Sequence, residues 1–185
     1  MNFGLLAHRG PTSLCAIGAF LFCAASLPAF ATSAGTPPPV KLAIFAFELE
    51  DFSAGGQLIG ESPADTAQLK LATVEARRLI VQSGRYSLVD VSGAGAEAVK
   101  AHSLRKCDGC DAGIAFKLGA DQSLIGIVTR ISRMEYTVRF QIRDARDGAV
   151  IFNKQTDLRM GANYSWDRGV AWLIKNRLLN SQDQP

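Results

Sequence analysis

Apolar and polar positions along the chain fall into blocks whose periods predict an alternation of strands and helices. Residues 40–47 (V-K-L-A-I-F-A-F) are nearly all apolar, with the β-branching and aromatics of a buried first strand. The run passes into Glu48, Leu49, Glu50 and Asp51, which read as an acidic loop at the strand's carboxyl end. Ligands gather at such ends in open α/β sheets. Three carboxylates there suit either a cation or plain solvation, and solvation is the simpler reading. Ser62 then reads as a helix N-cap, with Pro63 in the first helical position and Asp65 three residues after the cap. Leu69, Ala72, Ala76, Leu79, Ile80 and Ser83 form one face at helical spacing, and Gly84 supplies the left-handed stop. Lys70, Glu75, Arg77 and Arg78 lie on or beside the opposite face, as solvated charges.

Residues 86–91 predict a second strand, and residues 96–103 a short helix beyond the Ser92–Gly95 break. Asp111 reads as N-cap of a helix over 112–118, with Ile114, Ala115 and Leu118 as its apolar face and Gly119 as its end. Residues 122–131 are apolar on both faces, as an interior strand should be. In 134–143, Tyr136, Val138, Phe140 and Ile142 alternate strictly with Glu135, Thr137, Arg139, Gln141 and Arg143, so one face is buried and one wet. A turn over 144–148 returns the chain through a strand at 149–158. Residues 160–163 read as a loop. Ser165 caps a last helix whose face is Trp166, Val170, Leu173, Ile174 and Arg177. The expected fold class is therefore α/β (α+β), a single domain of about five strands in one mixed sheet with packed helices. Its order is β-α-β-(α-α)-β-β-β-α, parallel at the start and antiparallel at the end.

Composition changes this picture mainly at the amino terminus. His8 and Arg9 precede an apolar run over 14–27 that ends in P-A-F-A, the pattern of a secretory signal peptide cleaved after Ala31. An uncleaved amino-terminal anchor is the alternative. The residues before Cys15 and Cys23 lack the small side chains of a lipoprotein signal. Residues 32–39 form a proline-rich tether, 40–180 the domain, and 181–185 a frayed polar tail. With 20 Lys and Arg against 17 Asp and Glu, charge argues neither for nor against nucleic acid, and export makes that role an improbable one. The expected localisation is the periplasm.

After cleavage only Cys107 and Cys110 remain of four cysteines. An even count in an oxidising compartment favours a disulfide. It would contribute modestly, about 2 kcal/mol or less for so short a loop. Two other readings stay open. A thiol–disulfide redox centre needs a lowered thiol pKa, against which Asp108 and Asp111 act. Zinc needs about four ligands, and beyond these cysteines the chain offers His102 and an aspartate. Haem attachment requires histidine directly after the second cysteine, where Asp111 stands. The glycine-rich G-G-Q-L-I-G lacks the lysine and hydroxyl of a phosphate loop. His102 has no nucleophile motif near it, so a hydrolase is disfavoured and no catalytic residue or cofactor is expected. The wet hairpin face, with Arg139, Gln141, Arg143 and Lys154, offers cations to an acidic partner, or serves only as a charged edge that blocks strand pairing. Trp166 and Trp172 fall on different helix faces, one for the core and one for contact.

The cysteine turn running into Gly119-Ala120-Asp121, the turn R-D-A-R-D-G (143–148), and a closing stretch carried by Gly161, Asn163, Ser165, Trp166, Arg168, Gly169 and Leu173 together resemble a bacterial family of secreted proteins of unknown function. Ala162, inserted between Gly161 and Asn163, departs from that family's close. More broadly the layout is similar to the amino-terminal domain of TolB and to the curli-secretion type of lipoprotein domain. The resemblance implies a periplasmic, non-enzymatic module with an envelope or periplasmic protein partner, accessory to a periplasmic oxidation or envelope system. On these readings Asn163, Trp166, Arg168, Arg139 and Arg143 are the candidate partner-binding residues. The alternative is a redox or metal-handling protein built on Cys107 and Cys110.

Overall fold

The structure, a computed structural model, describes residues 37–93, 103–159 and 165–180. The chain divides into two units, Met1–Thr36 and Pro37–Pro185, and every described residue belongs to the second. The signal segment, most of the tether, the helix expected over 96–103, His102, the 160–163 loop and the 181–185 tail lie outside the described residues.

Six strands form one mixed sheet. They are β1 (Val40–Ile44), β2 (Glu48–Asp51), β3 (Tyr86–Val89), β4 (Gln122–Arg130), β5 (Glu135–Asp144) and β6 (Val150–Arg159). The order across the sheet is β3-β1-β4-β5-β6, with β2 pairing the second half of β4 in line with β1. Pairs among β1, β2, β3 and β4 are parallel, and β4-β5-β6 run antiparallel. The helical turn α1 (Gly56–Ile59), the long α2 (Pro63–Gln82), α3 (Cys110–Lys117) and α4 (Trp166–Leu173) complete the described framework. One core cluster lies between the sheet and α2 with α4, the other between the sheet and α3.

The sequence predicted one strand over 40–47 and an acidic loop over 48–51. The structure instead breaks the row after Ile44 and resumes it as β2. The reason is parity. Ile44 stands opposite Leu124 and Glu48 opposite Ile127, so the row advances four residues while β4 advances three. The exposed Ala46 absorbs the extra residue, as in a β-bulge. Leu42 and Ile44 face α2 before the slip, and Phe47 and Leu49 face it afterwards. Unbroken alternation would have driven Glu48 and Glu50 into that core. Backbone groups freed at the break are recovered by α2: Phe47 N–H donates to Thr73 Oγ1 (3.0 Å), and Arg77 donates to the Ile44 carbonyl (2.7 Å). Arg77 is thus part of the framework, not a solvated charge.

The capping box of α2 is present, Asp65 N–H donating to Ser62 Oγ and Ser62 N–H to Asp65 Oδ2. At α3 the cap is Gly109, at φ 101°, and the helix begins at Cys110, so Asp111 is not the cap but a first-turn residue with no exposed surface. The core face of β5 is as its alternation predicts: Tyr136, Val138, Phe140 and Ile142 are buried. Lys154 stands opposite Phe140, on the helix side of the sheet and not on the wet face.

Phe47 packs edge-on to Phe140, ring centroids 5.4 Å apart, directly over Gly126. A Cβ at position 126 would lie 2.4 Å from the Phe47 ring. Gly126→Ala is therefore expected to destabilise the domain by about 1–3 kcal/mol through overpacking. A lowered urea midpoint with unchanged slope shows this, and an unshifted midpoint contradicts it.

Candidate functional site

Two regions carry concentrated chemistry, at opposite ends of β4. At its start, the cysteine turn closes on itself, with Cys107 and Cys110 joined by a disulfide and their Cα atoms 5.6 Å apart. Both cysteines pack against the cluster of Ala43, Phe45, Ile125 and Ala145. Arg143 clamps this turn to the β5–β6 turn. Its guanidinium donates to the Gly148 carbonyl (2.9 Å) and to Asp108 (3.2 Å), and its Nε lies 3.8 Å from Asp111 Oδ1. The other Asp111 oxygen accepts from Ser123 Oγ at 2.6 Å. Both sulfurs are committed to each other, and among the described residues no group of three or more His, Cys, Asp or Glu is placed to hold a metal ion.

At the far end of β4, Arg130 binds three elements together. It donates to Asp51 at the end of β2 (2.6 Å), to Asp65 in the first turn of α2, and to the Tyr136 hydroxyl on β5 (3.1 Å). Asp51 also accepts from the N–H (2.9 Å) and hydroxyl (2.6 Å) of Ser53. Gly56 sits so close to this carboxylate that a Cβ there would fall 2.3 Å from it. This frame holds two loops, 52–60 and 131–134, side by side. They carry the apolar side chains Phe52, Leu58, Ile131 and Met134 on the surface. Hollows of about 510 Å³ and 550 Å³ run beside β2.

The residues singled out from the sequence do not converge. Trp166 has no exposed surface and packs against Tyr136 in the core, so it cannot face a partner from this position. Trp172 is the exposed indole, with Arg177 over its ring. Arg143 is enclosed by the cysteine turn and is not a docking cation. Arg139 stands on the wet face opposite Gln155, with no ion pair among the described residues, and Arg168 is exposed on α4, across the sheet. Asn163 lies outside the described residues. Sequence reasoning missed the Arg130 tie and the apolar end. Asp65 was legible only as a capping residue, Phe52 sat in a stretch without periodicity, and Met134 read as the first residue of the alternating strand over 134–143.

The fold is thus a small α/β sandwich with helices on both faces of a mixed sheet, and the chain belongs to the family DUF3280, described as "Protein of unknown function (DUF2380)", which matches residues 40–178. No curated protein matches it. Among solved structures it is similar to the LpoB C-terminal domain from Salmonella enterica, at 15% identity and TM-score 0.45 over 69% of this chain and 87% of that one. It is also similar to the lipoprotein GNA1162 from Neisseria meningitidis, at 17% and 0.46 over 78% and 100%. TolB from Acinetobacter baumannii follows at 13% and 0.40, over 73% of this chain and 28% of that one. The distant TolB likeness expected from the sequence is present, and at these identities it concerns the fold alone.

Burial pushes the Asp51 carboxyl up, but the Ser53 hydroxyl, the Ser53 N–H and Arg130 outweigh it and hold its pKa below the usual aspartate value. A depressed folded pKa contributes stability that is present above the unfolded value and lost as pH falls through the folded one. Stability is therefore expected to drop below roughly pH 4, and Asp51→Asn is expected to show a shallower decline across that window. Urea midpoints at neutral and acid pH measure it; equal slopes for the two proteins contradict the assignment.

Proposed function

We propose that this chain is an exported, non-enzymatic binding module of the periplasm that holds an envelope protein partner. The observation that carries the reading is the apolar end of the sheet. Phe52, Leu58, Ile131 and Met134 are 60%, 93%, 45% and 68% exposed, on loops that the Asp51–Arg130 pairing fixes next to one another. Several exposed apolar side chains on neighbouring loops of a well-tied frame are the mark of a contact surface. Arg139 and Arg168 remain candidate polar contacts, and so does Asn163, which lies outside the described residues. Support for export comes from the signal pattern at residues 1–31 and from a closed disulfide, which persists in oxidising compartments. The setting implied by the sequence resemblance is an accessory role in a periplasmic oxidation or envelope system.

Mild extraction of envelopes from cells that produce the protein tests this. The protein is expected to migrate together with a second polypeptide. The double substitution Phe52→Ser, Met134→Ser should release it as a monomer with an unchanged melting temperature, since neither side chain is in the core. The Cys107→Ser, Cys110→Ser form should keep the partner. A protein that runs only as a monomer, or that loses its partner when the cysteines alone are changed, refutes the reading.

A further inference from the structure

We infer that the outer edge of β2 is a slot for an extended segment of the partner protein, one that alternates apolar and acidic side chains. This rests on the binding-module reading and names where and what it binds.

The β1–β2 row has a strand on its outer side for only part of its length, because β3 pairs with Val40, Lys41, Leu42 and Ala43 and no further. At the break, Thr73 and Arg77 of α2 stand in for the missing neighbour. Past Phe47 no described residue does. The bond from Phe52 N–H to the Arg130 carbonyl (2.9 Å) sets the alternation of the parallel ladder. It turns the backbone of Glu48 and Glu50 toward β4 and that of Leu49 and Asp51 outward. Among the described residues the outward N–H and C=O groups of Leu49 and Asp51 have no partner, and such groups on a sheet edge are a template for another strand.

The edge lies along the floor of a trough. The two hollows beside β2 meet at Leu49, Glu61 and Arg105. Phe47, Leu69 and Val74 give the trough an apolar floor, while Lys70, Arg77, Arg105 and Lys106 line its walls. Of the acids along it, Glu48 is paired with Arg105 and Asp51 with Arg130, while Glu50 and Glu61 make no ion pair among the described residues. Lys70, Arg77 and Lys106 likewise make no ion pair among the described residues, so unpaired cations outnumber unpaired acids along the trough. An incoming strand places alternate side chains on opposite faces, so apolar residues can enter the floor while carboxylates meet the lysines.

A photo-cross-linking amino acid placed at Glu61 in the full chain, and separately at Met134, tests this in native envelopes. The Glu61 probe is expected to attach to a partner segment that mass spectrometry maps to an acidic, extended stretch. Lys70→Glu with Lys106→Glu should lower that yield about tenfold or more through like-charge repulsion and leave thermal unfolding unchanged. Cross-links from Met134 alone would keep the binding module and overturn the slot. Attachment at Glu61 to lipid, to a second copy of this chain, or to a basic stretch would also overturn it. No cross-link from either position would remove both.

Discussion

The row formed by β1 and β2 must satisfy two opposed demands. Leu42 and Ile44 have to face α2, and so do Phe47 and Leu49, yet two residues, an even number, lie between Ile44 and Phe47. A strand alternates strictly, so the row slips by one residue at Ala46, and much else follows from that slip. Gly126 has to be glycine because the Phe47 ring, re-aimed by the slip, lies on its backbone. Thr73 and Arg77 have to reach down from α2 because the slip leaves an N–H and a carbonyl of the row without ladder partners. Glu48, kept out of the core, turns to the other face, where it receives the backbone N–H of Leu104 at 2.6 Å and Arg105 at 2.9 Å. That carboxylate anchors the turn that leads into the cysteines.

The two ends of the sheet are held by different chemistry, and each solution is local. At the start of β4 a short disulfide loop, a buried aspartate and Arg143 lock the cysteine turn to the β5–β6 turn. The loop is too short for the disulfide to stabilise the whole domain by much, and its effect is to fix where Asp108 and Asp111 meet the guanidinium. At the other end, Arg130 has two carboxylates and a phenol around it, and the 52–60 and 131–134 loops are carried on that frame. A half-buried arginine between two acids favours a single arrangement of β2, β4, β5 and α2 there, because leaving any member unpaired would strand a partly desolvated charge. A rigid base with exposed apolar side chains suits binding without a large ordering cost.

Much of the fold was legible in the sequence because its signals were local. The capping box at Ser62 and Asp65, the unbroken apolar run of β4, and the alternation of Tyr136, Val138, Phe140 and Ile142 each specify an element with nearest neighbours alone. β2 was not legible. Glu48-Leu49-Glu50-Asp51 has the composition of a loop and becomes a strand only because β4 offers it a ladder and Leu104 with Arg105 take up Glu48. The shift of apolar positions from 42 and 44 to 47 and 49 was the available signal. The candidate site was read less well, for the same reason. Arg143 and Trp166 stood among the candidate contacts; Arg143 is half-buried against Asp108, 35 residues away, and Trp166 is buried against Tyr136 on β5, contacts that no local pattern signals. Arg130 closes an apolar run with nothing local to mark it, and its partners Asp51 and Asp65 are 79 and 65 residues away in sequence.

The slip at Ala46 leaves, among the described residues, an open strand edge at β2 within an otherwise tied framework. Residue-resolved amide hydrogen exchange along 47–52 in the isolated protein measures it. An alternating pattern is expected, with the Phe47 amide protected by Thr73 and that of Glu50 by β4, while those of Leu49 and Asp51 exchange at the rate of exposed backbone. Uniform protection across Leu49, Glu50 and Asp51 would mean that the edge is already paired, and there would be no open strand edge.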